Sequence, residues 1–81
     1  MNLANLTDFN ELELSLLAVA VIEKVESCEN NMRTLAQFDD GPFKDEQMKF
    51  WHDRYEIYCL WRVQVLNAQV EVKKRELAKY N

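Results

Sequence analysis

Glycine and proline are almost missing from this sequence, whose 81 residues contain one of each, Gly41 and Pro42. A fold of many strands needs a turn about every 8–12 residues, and turns depend on residues of this kind. The shortage therefore excludes a β-rich fold and predicts an all-α protein. Disorder is excluded too, because 48% of the residues are apolar and 11% are aromatic, whereas disordered chains are poor in such side chains.

A long apolar run is also missing. The longest, residues 16–22, has seven residues, whereas a membrane-spanning helix needs about 20. No lysine or arginine precedes Lys24, although secretion signals begin with basic residues. We therefore expect a cytoplasmic protein with no membrane span.

Residues suited to catalysis or metal binding are few and scattered. Cys28 and Cys59 have no metal-binding spacing, and we expect both to be reduced and buried. His52 is the only histidine, with Glu56 four residues later, but a zinc site needs three or four ligands. The hydroxyl and thiol side chains lie in no nucleophile elbow or glycine-rich loop. The sequence thus predicts no enzyme, no metal site and no cofactor.

Apolar residues recur at alternating steps of four and three along the first half of the chain. They are Leu14, Ala18, Val21, Val25, Cys28, Met32 and Leu35. This heptad repeat predicts a helix over about residues 9–38 that packs lengthwise against another helix. Asp8, with Glu11 three residues later, is the predicted N-cap, and Thr7 is the alternative.

The one cluster of turn residues is Asp39-Asp40-Gly41-Pro42. Gly41 is expected to end the first helix in the left-handed conformation. The second helix is predicted over about residues 45–79, capped by Asp45, with Pro42 as an alternative first-turn residue. The chain should therefore form an antiparallel hairpin of two long helices, a single domain over residues 1–81.

The two halves of the chain carry opposite net charge. Residues 1–40 hold eight acidic and two basic residues, a net charge of −6, and residues 41–81 hold six acidic and eight basic residues, a net charge of +2. A hairpin brings Glu11 and Glu13 near Lys73 and Arg75, although exposed ion pairs contribute only about 0–1 kcal/mol each. Because the basic residues have acidic neighbours, nucleic acid is not an expected partner.

Both helices carry apolar residues on two opposite sides. The second row of the first helix is Phe9, Leu12, Leu16 and Val19. The rows of the second helix are Met48, Tyr55, Cys59, Val63, Leu66, Val70 and Leu77, and opposite them Phe50, Ile57, Trp61, Ala68 and Val72. A helix that is apolar on both sides is normally buried on both sides, and a hairpin covers one row per helix. We therefore expect a homo-oligomeric helical bundle, such as a twofold four-helix bundle, with the second row of the first helix at the oligomer interface.

The second helix also contains a segment rich in aromatic residues and arginine, residues 50–62. The candidate contacts to a protein partner are Trp51, Arg54, Tyr58, Trp61 and Arg62, because Trp, Tyr and Arg are enriched at binding hot spots. The alternative is that the aromatic residues form the core of the hairpin or of its dimer.

These observations favour a non-enzymatic regulatory or inhibitory protein that binds another protein, of the kind common among phage and bacterial accessory factors. A second hypothesis is an oligomer that binds a nucleotide-like or other anionic ligand at its interfaces, beside Lys49, Arg54 or Arg62. A third hypothesis is a structural subunit of a larger assembly.

Overall fold

The computed structural model describes residues 5–79, which form two long helices packed side by side in an antiparallel hairpin. Helix α1 is Glu11–Leu35 and helix α2 is Pro42–Ala78, and a short 3-10 turn, Leu6–Asp8, precedes them. The predicted all-α class and antiparallel hairpin of two long helices are thus confirmed. Neither helix has a stretch long and apolar enough to cross a membrane.

Helix α1 begins with a reciprocal capping box around Asn10. The Asn10 side chain accepts a hydrogen bond from the Glu13 N–H at 2.8 Å, and the Glu13 side chain accepts one from the Asn10 N–H at 3.1 Å. The predicted cap at Asp8 is wrong, because Asp8 belongs to the 3-10 turn that precedes the helix. The start of α1 therefore lies two residues beyond the predicted one.

The predicted seam of α1 is confirmed. Leu14, Ala18, Val21, Val25, Cys28 and Leu35 are buried and Met32 is half-buried. All seven lie on the side of α1 that packs against α2, as a heptad repeat requires.

A single heptad row of α2 faces α1 along the whole helix. It consists of Lys44, Met48, Trp51, Tyr55, Tyr58, Arg62, Val65, Gln69, Val72 and Glu76, all buried or half-buried. Four of these ten are polar residues with long side chains, whose carbon stems cover apolar surface while their polar ends reach water. This row differs from both rows that the sequence predicts.

The predicted rows of α2 mix inward and outward positions. Val63, Leu66, Val70 and Leu77 are exposed, although they were predicted to share a row with Met48 and Tyr55. Phe50 and Ile57 are exposed, although Ala68 and Val72 of the same predicted row are buried. The apolar pattern of α2 is misleading because its seam contains polar residues and its outer surface contains apolar ones.

The turn between the helices contradicts one prediction and confirms another. Gly41 has φ 162° and ψ 175°, which is extended backbone and not the predicted left-handed conformation. Pro42 opens α2 as a first-turn residue, the alternative to a cap at Asp45. Helix α1 ends in tight turns, in which the Phe38 N–H donates to the Leu35 carbonyl at 3.0 Å.

Lys44 closes the turn from the α2 side. Its Nζ donates to the carbonyl oxygens of Ala36 and Phe38 at 3.4 and 3.1 Å, and it lies 3.0 Å from Asp40 Oδ1. A cation at a helix C-terminus satisfies free carbonyl groups and interacts favourably with the helix dipole. One side chain therefore joins the end of α1 to the start of α2.

The best-buried core lies at the open end of the hairpin, opposite the turn. Its buried members are Leu6, Leu14, Ala18, Val21, Val65, Ala68 and Val72. The 3-10 turn covers this end, and Arg75 Nη2 donates to the Thr7 carbonyl at 2.8 Å. Within residues 5–79, all four ion pairs join residues three or four apart. The acidic and basic segments are thus neighbours without ion pairs between the two helices.

Candidate interaction surfaces

One flank of the hairpin carries a shallow groove, which we call the basic groove. It is lined by Leu17, Ala20, Val21 and Lys24 of α1 and by Arg54, Ile57, Tyr58 and Trp61 of α2. Its two charged residues are both cations, in a chain whose net charge is −4. The groove therefore combines apolar surface with positive charge.

Aromatic contacts hold the α2 side of the basic groove in place. The Arg54 guanidinium lies 3.7 Å from the centroid of the Phe50 ring, a cation–π contact. The rings of Tyr58 and Trp61 meet edge to face, with centroids 5.3 Å apart. Side chains that are already ordered lose less entropy on binding, which favours a contact surface.

The opposite flank carries a second surface, which we call the apolar face. Its exposed side chains are Leu12, Val19 and Ile22 of α1 and Val63, Leu66, Val70 and Leu77 of α2. Leu12 and Leu77 border one depression together with Glu11 and Lys73, so the rows of the two helices meet on this flank. Toward the turn, the same rows continue at heptad spacing.

Three of the first continuing positions are acidic, Glu26 and Glu29 of α1 and Glu56 of α2, and one heptad later the rows of Glu26 and Glu56 reach the cations Arg33 and Lys49. At the open end, Glu11 and Glu76 flank Lys73. The apolar face is therefore bordered mainly by carboxylates, in contrast to the basic groove.

The structure divides the five predicted partner contacts between two environments. Arg54 and Trp61 line the basic groove, Arg54 being exposed and Trp61 half-buried. Trp51, Tyr58 and Arg62 are half-buried positions of the α2 seam. Only Tyr58 of these three also lines the groove.

The four residues predicted at the oligomer interface are all exposed. Leu12 and Leu16 are the most exposed, at 69% and 65%. Leu12 and Val19 belong to the apolar face, whereas Leu16 lies one helical turn before Ala20 of the basic groove. Sequence reasoning missed Leu17, Ala20 and Lys24 as groove residues, because only the true register of α2 places them beside Arg54 and Trp61.

The two thiols and Tyr55 lie together in the middle of the hairpin. Cys28 is buried, Cys59 is half-buried, and both are free. Burial raises the pKa of the Cys28 thiol; Arg54 opposes the shift and Cys59 adds to it. A hydrogen bond with Cys59 raises the pKa of Tyr55, and Glu29 contributes in the same direction. A buried thiol of raised pKa is a poor nucleophile.

His52 and Glu56 form an exposed pair on one turn of α2. The distance from His52 Nδ1 to Glu56 Oε1 is 3.7 Å. In the described part of the chain, no three His, Cys, Asp or Glu side chains lie close enough to hold a metal ion together. The pair stands on the outer surface of α2.

Comparison with known protein families, with curated proteins and with solved structures finds no match to this chain.

Proposed function

We propose that this chain is a non-enzymatic binding protein that associates with itself and with another protein, and that it acts as a small regulator or inhibitor by covering part of its partner's surface. The observation that carries the proposal is the amount of apolar surface outside the core. Among residues 5–79, fourteen large apolar side chains are exposed, from 39% for Ile22 to 69% for Leu12. Soluble monomers rarely leave contiguous apolar patches of this kind uncovered.

The shape of the hairpin explains why it cannot cover this surface itself. Its extents are 60 × 19 × 14 Å, so the molecule is one layer of two helices. Each helix can turn one row toward its neighbour, and the other rows remain outside. Helices of other chains would cover these rows, as in a bundle assembled from hairpins.

The basic groove and the apolar face lie on opposite flanks, so a single neighbour cannot cover both. Their charges also differ, since Lys24 and Arg54 border one and Glu11, Glu26 and Glu56 border the other. Two neighbours of different charge character satisfy both surfaces. This supports a protein that binds its own copy and a second, different protein.

A small anionic ligand is the weaker alternative. The two depressions of the basic groove have volumes of about 210 and 270 Å³, below the roughly 300–1,000 Å³ of typical ligand pockets. Of the three cations named for such a ligand, Arg54 lines the groove, whereas Arg62 occupies the seam beside Tyr55. The basic groove is therefore better suited to the side chains of a partner helix than to a small anionic ligand.

Two measurements test the proposed function. Light scattering at micromolar concentration should give at least twice the 9.7 kDa of one chain; a mass of one chain overturns self-association. Affinity capture from the native host should retain a defined protein on the wild type and lose it on a folded Leu66→Glu or Arg54→Glu variant. Capture of the same proteins by all three forms overturns partner binding through these surfaces.

A further inference from the structure

We propose that the occupant of the basic groove is a second copy of this chain, related by a twofold axis that lies oblique to the helices at the level of Trp61, so that the two hairpins cross. The inference rests on the proposed self-association and assigns it to one of the two flanks. Each copy then places the first half of α1 against the basic groove of the other.

The ridge that enters the groove lies on the same flank of α1. Glu13, Leu16, Ala20 and Glu23 follow one another at steps of three, four and three, so they form one stripe of the helix. Leu16 is 65% exposed. The carboxylates of Glu13 and Glu23 lie at the two ends of the apolar pair Leu16 and Ala20. The stripe is thus apolar and acidic, where the groove is apolar and basic.

The register of the hairpin makes this flank complementary to itself. Val21 and Trp61 line one depression, so they lie at the same level of the hairpin. At 1.5 Å per residue, Arg54 lies about 10 Å from Trp61 toward the turn, and Glu13 lies about 12 Å from Val21 toward the open end. A twofold axis at the level of Trp61 exchanges the two directions, so Arg54 of one copy comes level with Glu13 of the second copy.

The same operation matches apolar residues. Ile57 lies four residues from Trp61 toward the turn, and Leu17 lies four residues from Val21 toward the open end. The axis therefore brings Ile57, 48% exposed, level with Leu17 and its neighbour Leu16 of the second copy. An isologous interface requires this reciprocity, in which each contact occurs twice.

Charge disfavours the opposite flank as the place where two copies meet. The borders of the apolar face carry Glu11, Glu26, Glu29 and Glu56 against Lys73, and the cations Arg33 and Lys49 follow one heptad beyond Glu26 and Glu56. When two copies meet on that face, the nearest carboxylates outnumber the nearest cations, and like charges at an interface are unfavourable. The flank of the basic groove carries two acidic and two basic side chains, Glu13, Glu23, Lys24 and Arg54.

The test compares matched variants by analytical ultracentrifugation of the full chain. Ile57→Glu should weaken the dimer at least tenfold, and Leu66→Glu, the same kind of change on the apolar face, should leave it intact. Arg54→Glu and Glu13→Arg should each weaken the dimer, and the double variant should recover most of the affinity because the charge pair is restored in reverse. Circular dichroism confirms that each variant remains helical.

A second measurement depends on geometry alone. Ala20 lies next to the proposed axis, so an Ala20→Cys variant in a Cys28→Ala, Cys59→Ala background should be joined to its own copy by a short thiol-specific cross-linker. An Asn67→Cys control on the outer surface of α2 should not. If Leu66→Glu dissociates the dimer while Ile57→Glu does not, the assignment to this flank is wrong and self-association still holds; a monomeric wild type overturns both.

Discussion

At the scale of single residues, Asn10 sets the start of α1 through its capping box with Glu13. Replacing Asn10 with Ala leaves the Glu13 N–H without its side-chain acceptor and should lower the free energy of unfolding by about 1 kcal/mol. Asn10→Asp, which keeps an acceptor, should lose much less. Asp8→Ala should have little effect, since Asp8 does not cap the helix; urea denaturation of the three variants checks the order, and a larger loss at Asp8 than at Asn10 contradicts the observed cap.

Cys28 couples stability to pH because burial raises the pKa of its thiol above the ordinary value of 9.0. At a pH between the ordinary pKa and the raised pKa of the folded state, the Cys28 thiol has lost its proton in the unfolded chain and kept it in the folded chain. The contribution of Cys28 is therefore complete below about pH 9 and declines as the pH rises toward the folded pKa. Urea midpoints at about pH 8 and about pH 10 should fall more for the wild type than for Cys28→Ala, and equal falls contradict the coupling.

At the scale of the helices, α2 is oriented by the heptad row that contains Val65 and not by the apolar residues on its outside. Val65 is fully buried, whereas Val63 is 50% exposed. Val65→Ala should therefore destabilise the protein by roughly 1–3 kcal/mol, since it removes buried methyl groups and leaves a cavity. Val63→Ala should cost well under about 1 kcal/mol. Thermal denaturation of the pair checks this, and comparable losses would mean that α2 is rotated.

Helix α1 and helix α2 show how far a single sequence predicts such a hairpin. The α1 seam could be predicted because all seven of its positions are apolar and recur without interruption over three heptads. The α2 seam could not, because Lys44, Arg62, Gln69 and Glu76 occupy it, and burial of a carbon stem leaves no apolar signal in the sequence. The start of α1 was misplaced because Asp8 and Asn10 are both good caps, and Asp8 belongs to the 3-10 turn whose Leu6 is buried in the core.

The candidate surfaces depend on the register between α1 and α2. The sequence could therefore predict which types of residue form them, but not which residues of the two helices lie together. Arg54 and Trp61 were named, but their neighbours Lys24 and Ala20 lie on the other helix and come beside them through the pairing of α1 with α2. The interpretation of Trp51 and Tyr58 as core or contact residues also depended on the register. Trp51 and Tyr58 share one heptad row with Val65 and Val72. Their half-buried positions in the seam become evident only when Val65 and Val72 are known to be buried.

At the scale of the whole molecule, the hairpin is too thin to hold a core of the size its apolar content allows. Its radius of gyration is 16.9 Å, whereas a compact domain of this length has a radius of about 12 Å. Stability that depends on a second copy varies with concentration by mass action. Across a hundredfold increase in protein concentration, the melting temperature should rise by about 5–10 °C. Val65→Ala should lower the melting temperature at every concentration and keep this dependence, because it weakens each hairpin without touching its outer surfaces; a melting temperature that is constant across the range for the wild type shows that the hairpin is stable alone.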